Sequence, residues 1–192
     1  DADAAAMALA ARATARLQLP TPDLETAGRE LADKLREFDP EIVVSAATLG
    51  IPVAIEVTRA LELDDYLILQ KSPKVHLRDA LSEPVRAITS DTSSTFLLDR
   101  ARVSALAGKR VVFVDDVLST GSSVAAAMRL LDAAGAEVVG IGVLLTEGND
   151  WEEVLGERAA LVRTLGAIPL FPTPPPATGN GVGDDWEIIG VD

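Results

Sequence analysis

A chain of 192 residues, 48% of them hydrophobic, can bury one substantial core, and its 30 acidic against 17 basic residues leave a formal net charge of −13 that disfavours nucleic acid and anionic membrane surfaces as partners. Cysteine is absent, which excludes disulfides, thiol nucleophiles and cysteine-based zinc sites, and His76 is the only histidine. No stretch has the apolar length that spans a bilayer, and the alanine-rich start with Asp1 and Asp3 lacks the basic front of a secretion signal, so a single cytoplasmic domain over residues 1–192 is the expectation.

Residues 3–16, rich in Ala, Leu and Arg, read as a helix, and a second helix is predicted from an N-cap near Thr21 or Asp23 to about Phe38, ahead of Pro40. The period then changes. Ile42-Val43-Val44, within Glu41 to Ser45, is the short apolar run of a buried parallel strand, followed by the loop Ala46 to Gly50, a helix to about Leu63 and a strand at Tyr66 to Gln70. This is one βαβ unit. From Lys71 to Asp99 the pattern weakens into polar and β-branched residues, with candidate strands at Val85 to Thr89 and Thr95 to Leu98 inside what reads as a mobile excursion. Regularity returns with a strand at Arg110 to Val114, a helix from about Ser122 to Ala134, Gly135 as its stop and a strand from Glu137 to Leu145, a second βαβ unit. A short helix around Trp151 to Leu155, apolar segments at Leu161 to Leu165 and Ile168 to Phe171, and a Pro- and Gly-rich tail from Pro172 to Asp185 complete the chain. Strands alternating with helices predict an α/β fold with a central, mainly parallel sheet flanked by helices.

The most informative stretch is Val111-Val112-Phe113-Val114-Asp115-Asp116-Val117-Leu118-Ser119-Thr120-Gly121-Ser122-Ser123. In a parallel sheet, ligands bind where strands end and helices begin. Ser119 to Ser123 offers backbone N–H groups and hydroxyls at the start of a helix, whose positive end favours an anion, and Gly121 allows close approach, so a dianionic phosphate fits there without a lysine. Asp115 and Asp116 would repel each other if both were ionised and unpaired; ribose hydroxyls, with magnesium as a further cation, can offset that cost. An Asp pair also commonly ends a strand and opens a turn, and it is the sequence strand, acid pair, phosphate loop, helix that makes the motif specific.

These residues closely resemble the signature of type I phosphoribosyltransferases for 5-phosphoribosyl-1-pyrophosphate (PRPP), over about Ile42 to Phe171. The resemblance implies a transferase that displaces pyrophosphate from PRPP with a nucleobase nitrogen, through an oxocarbenium-like transition state and with Mg2+. It assigns Asp115 and Asp116 to the ribose hydroxyls and to the metal, directly or through hydroxyls or water, and Ser119, Thr120, Gly121, Ser122 and Ser123 to the 5-phosphate. Ala47-Thr48-Leu49-Gly50 looks like the family's pyrophosphate loop, whose backbone amides, often in an unusual peptide geometry, face the leaving group; alone, it is an ordinary strand-to-helix turn. Lys71 and Lys74 resemble the basic pair after the corresponding strand, with Lys74 catalytic and both on pyrophosphate, although a lysine in a loop more commonly serves solubility. His76 and Arg78 open the segment that in this family forms a lid against water.

Ser119 stands where hypoxanthine-guanine enzymes carry an aspartate that handles a purine proton, and serine is a poor base at neutral pH. The long segment from Lys74 to Arg110 and the ending Ala167-Ile168-Pro169-Leu170-Phe171 resemble adenine-type enzymes, so the expected base is a purine, adenine-like or a related purine or deazapurine. Lys71-Ser72-Pro73-Lys74-Val75-His76 also resembles the catalytic loop of orotate phosphoribosyltransferases, with Leu77 where a glycine is usual. A regulator of the same fold that senses PRPP without turnover is the other alternative, and the net charge argues against its nucleic-acid-binding face. Family resemblance further implies a homodimer whose core covers about 40–171, with a hood from the N-terminal helices and the C-terminal segment; Leu17, Phe171 and Trp186 are candidates to stack on a base.

Overall fold

The apolar runs form strands whose both faces are covered. In the computed structural model, which describes residues 21–72, 79–85 and 94–169, β1 (Ile42–Ala46), β2 (Tyr66–Leu69), β5 (Arg110–Leu118), β6 (Glu137–Glu147) and β7 (Val162–Ile168) make one sheet in the order β2-β1-β5-β6-β7. Every neighbouring pair in it is parallel. The continuous hydrophobicity of Val111 to Val114 follows from this: Val111 and Phe113 join the core on one face, Val112 and Val114 the core on the other, and all four are fully buried.

Helix α1 (Thr21–Leu35) has Pro22 and Asp23 in its first turn and Lys34 in its last, placements that suit the helix dipole and the missing proline N–H. A 3-10 turn over Arg36–Phe38 extends it, and Asp39 in the left-handed region (φ 47°) ends it before Pro40. Its buried face, Ala27, Leu31, Ala32 and Leu35, packs with Val53, Ala54 and Val57 of α2 (Gly50–Ala60) against Val43 and Val112. On the opposite face lie α3 (Arg100–Leu106), α4 (Ser122–Ala133) and α5 (Asp150–Leu155), with Phe113, Met128, Leu131 and Ile141 central to that core. Among the described residues no helix is long and apolar enough to cross a membrane.

The region from Lys71 to Asp99 departs most from the pattern in the sequence. Its described parts are β3 (Ala80–Val85) and β4 (Ser94–Asp99), an antiparallel pair fastened to the main sheet where Gln70 and Leu97 exchange hydrogen bonds of 2.9 and 2.8 Å. Phe96 and Leu98 of β4 are buried in the core. The first strand begins at Ala80 rather than Val85, because Ser82, Glu83 and Pro84 belong to a two-stranded edge that tolerates polar residues and proline. Helix α3 escaped the sequence reading, although Asp99 signals its start by accepting the Ala101 N–H at 2.9 Å. The apolar segment expected at Leu161 to Leu165 lies in β7, which runs on to Ile168, while Leu170 and Phe171, residues 3–16, the end of the candidate strand at Thr89 and the Pro/Gly tail lie outside the described residues. Leu17, Phe171 and Trp186 lie outside them too, and α1, expected in the hood, belongs to the layer that covers the sheet.

Gly28 sets how closely α1 and α2 approach, since a Cβ there would stand 2.4 Å from the Glu56 Cβ. Gly28→Ala gains about 1 kcal/mol in helix propensity but forces the helices apart at a cost of about 1–3 kcal/mol. The net expectation is a lower chemical-denaturation midpoint; a raised midpoint contradicts the close crossing.

Candidate functional site

The order of strands reverses at β1: the chain leaves it to one side for β2 and later returns to its other side as β5. A crevice opens at such a switch point, beyond the carboxyl ends of the strands. Here it is a cleft of about 390 Å3 bounded by Ala47–Leu49 after β1, Lys71 after β2, and the chain from Asp115 to Gly121, with Ser123 and Val124 of α4. The opposite end of the strands is fixed: Glu41 accepts hydrogen bonds from Lys109 Nζ (2.8 Å) and the Arg110 N–H (2.9 Å), tying the amino ends of β1 and β5 together.

Asp115 and Asp116 lie within β5, which continues to Leu118 instead of ending at Val114 as the sequence suggested. Pairing of Asp115 with Val143, and of Val117 with Leu145, holds this extension to β6, so the acids stand on a strand and not on a loose turn. The carboxyl end of Asp115 is tucked beside Gly50, where its Oδ1 lies 2.6 Å from the place a Cβ would occupy, and the Asp116 N–H donates to that same oxygen at 3.0 Å. Burial, and then the neighbouring Asp116 charge, push the Asp115 carboxyl up to about 8, against the opposing pull of Lys71. Burial and the mutual repulsion of the pair thus both favour a proton on Asp115.

After the acids, the chain turns through Ser119 and Thr120 into Gly121, whose φ of 79° is natural only to glycine, and α4 starts at Ser122. Thr120 Oγ1 and Ser122 Oγ are 3.1 Å apart and brace the turn. A Cβ on Gly121 would meet the Trp151 Cα at 3.1 Å and the Val154 Cβ at 3.3 Å, so α5 supports the loop from behind. Trp151 is itself held by its Nε1–H donating to the Gly148 carbonyl at 3.1 Å. Sequence reasoning placed Trp151 in a short helix without seeing this; the glycine three residues before it was the available signal.

Of the expected phosphate residues, Ser119, Thr120, Gly121 and Ser123 line the cleft, and Ser122 stands behind them at the helix start. Thr48 and Leu49 line it from the other side, whereas Gly50 is buried behind the wall, and the peptide bond between Ala47 and Thr48 is cis. Lys71 is the one basic residue lining the cleft among those described; its Nζ lies 5.7 Å from the centre of the Phe96 ring, a buried side chain of β4. Lys74, His76 and Arg78 lie outside the described residues. Ala47, the first residue of the expected pyrophosphate loop, also lines the cleft, and Val117, Leu118 and Val124, which had been given no role, complete the lining.

The sequence model of the phosphoribosyl transferase domain matches residues 18–161. The chain is 31% identical over 148 residues to a xanthine phosphoribosyltransferase of Exiguobacterium sp., covering 76% of this chain and 75% of that one. It is 28% identical over 155 residues to an orotate phosphoribosyltransferase of Desulforamulus reducens, covering 80% and 69%. The fold matches the crystal structure of an adenine phosphoribosyltransferase from Thermoanaerobacter pseudethanolicus with a TM-score of 0.67 at 20% identity, over 77% of this chain and 81% of that one.

Because the folded protein holds the Asp115 proton more tightly than the unfolded chain, this residue's contribution to stability is full at low pH and is lost as pH rises from about 4 to about 8. Asp115→Asn is expected to flatten that fall, by an amount on the order of a few kcal/mol across the window. Denaturation midpoints of both proteins against pH check it; parallel curves contradict the buried proton.

Proposed function

The chain belongs to the phosphoribosyl transferase family, and on that premise we propose that it moves the 5-phosphoribosyl group of PRPP onto a ring nitrogen of a purine, giving a nucleoside 5-monophosphate and pyrophosphate. The observation that carries the reading is the meeting of three distant segments in one cleft: the Asp115–Asp116 strand end with its phosphate loop, the Ala47–Leu49 loop, and Lys71. A ligand with phosphate at one end, diphosphate at the other and hydroxyls between matches those three in order, and the cleft volume lies in the usual range for such ligands.

In this reading the Ser119–Ser123 loop and the start of α4 hold the 5-phosphate, and the acid pair faces the ribose hydroxyls. As the bond from C1 of the ribose to the pyrophosphate oxygen breaks and the bond from C1 to the base nitrogen forms, positive charge grows on the sugar ring. The acid pair lies where negative potential opposes that charge, while Lys71 and the backbone of Ala47–Gly50 receive the departing diphosphate. The nitrogen that attacks surrenders its proton to solvent or to a group of the base pocket. Lys74 is proposed to share the diphosphate with Lys71, and His76 and Arg78 to open a lid over the site.

Among the described residues no three His, Cys, Asp or Glu side chains are grouped to cage a metal. Two adjacent carboxylates beside a phosphorylated sugar fit Mg2+, which keeps several waters and takes its remaining ligands from phosphates and hydroxyls; Asp115 and Asp116 would hold it, directly or through those hydroxyls. Bound there, the ion neutralises charge on the diphosphate.

Ser119 in the cleft wall and the xanthine-enzyme relative support a purine or deazapurine as the acceptor. The orotate-enzyme relative, with the Lys71 to His76 sequence, supports orotate as the second reading. A cytoplasmic homodimer is part of the same proposal.

Pyrophosphate release from PRPP and Mg2+ against adenine, xanthine, hypoxanthine, guanine and orotate tests it. A purine is expected to support turnover, and the variant carrying both Asp115→Asn and Asp116→Asn is expected to lose at least about 100-fold of it with its fold intact. Release with orotate alone selects the second reading, and undiminished release by the double variant removes the carboxylates from the mechanism.

A further inference from the structure

Ser45 occupies β1 one residue before its end, paired in register with Val114 of β5 on one side and Ile68 of β2 on the other. It is fully buried, and its Oγ has no hydrogen-bond partner. A hydroxyl withheld from water without a partner costs on the order of 1–3 kcal/mol, so alanine would be the more stabilising residue at this position. The unpartnered oxygen is not aimed at apolar surroundings. It lies 2.2 Å from the point where a Cβ on Gly50 would stand, and the Oδ1 of Asp115 lies 2.6 Å from that same point. The buried hydroxyl and the carboxyl oxygen therefore both border the small space that Gly50 leaves, and a side chain there would collide with both.

Resting on the reading above, we infer that Ser45 is a positioning residue: its hydroxyl donates to the Asp115 carboxylate when a sugar is bound and holds that carboxylate toward the ribose hydroxyls. The Asp116 N–H donates to Asp115 Oδ1. A bound sugar supplies hydroxyl donors from the cleft side, and the Ser45 hydroxyl supplies one from the sheet side, so the carboxylate is gripped from both. The cost of burying an unpaired hydroxyl is recovered on binding, which explains a buried serine in a strand otherwise built of Ile42, Val43, Val44 and Ala46. Gly50 acts by its lack of a side chain.

The test compares Ser45→Ala with Thr58→Val, which removes the other buried, unpartnered hydroxyl, two turns along α2 from Gly50. Thermal stability is measured along with the binding of PRPP and of inorganic phosphate, the latter lacking the sugar hydroxyls that the Asp115 carboxyl would meet. Neither substitution is expected to lower the melting temperature. Ser45→Ala is expected to weaken PRPP by about 10-fold or more while leaving phosphate within about 2-fold, and Thr58→Val to leave both ligands unchanged. Equal behaviour of the two variants toward PRPP, or equal loss of PRPP and phosphate in Ser45→Ala, overturns the positioning role. A wild-type protein that does not bind PRPP overturns the reading of the site, and this inference with it.

Discussion

Adjacent residues Asp115 and Asp116 bring two carboxylates to the wall of one cleft, and like charges so close are costly wherever water is scarce. Among the described residues no arginine lines the cleft beside them. Burial and the second acid raise the Asp115 carboxyl, the Asp116 N–H donates to its Oδ1, and Lys71 supplies a positive charge in the same cleft. Such an arrangement is poor for stability and well suited to a ligand that brings several hydroxyls, a cation, or both.

Holding that pair in place explains much of the rest of the fold. The strand carrying it is buried on both faces and bonded to β1 and β6, and its extension past Val114 remains paired to β6 as far as Leu118. Ion pairing at Glu41 fixes the opposite end of the same strands. The loops at the cleft end are free to serve chemistry because the scaffold does not depend on them. Two glycines mark where that chemistry presses on the scaffold: Gly50 beside the Asp115 carboxylate and Gly121 against Trp151 of α5.

How much of this was legible follows from how local each signal is. The strand of Val111 to Val114, the acids, and Gly121 before a helix are consecutive in sequence, and their physics is nearly all local, so loop and helix were read where they occur. Continuation of β5 through the acids was not legible, because Asp is a poor strand former and the pairing that overrides this comes from β6, far along the chain. For the same reason β3 was displaced: the polar run Ser82-Glu83-Pro84 looks like loop until its partner strand is known. Trp151 and Ser45 carry no motif. Their importance lies in what stands opposite them, and only the fold brings Gly121 and Asp115 there.

A crystal structure of the protein with PRPP and Mg2+ tests the central claim most directly. The account requires the 5-phosphate within hydrogen-bonding distance of the backbone amides from Thr120 to Ser123, the ribose hydroxyls on Asp115 and Asp116, and the diphosphate toward Lys71 and the loop Ala47–Leu49. A sugar bound with its hydroxyls away from both acids, or a 5-phosphate seated outside the Ser119–Ser123 loop, contradicts it.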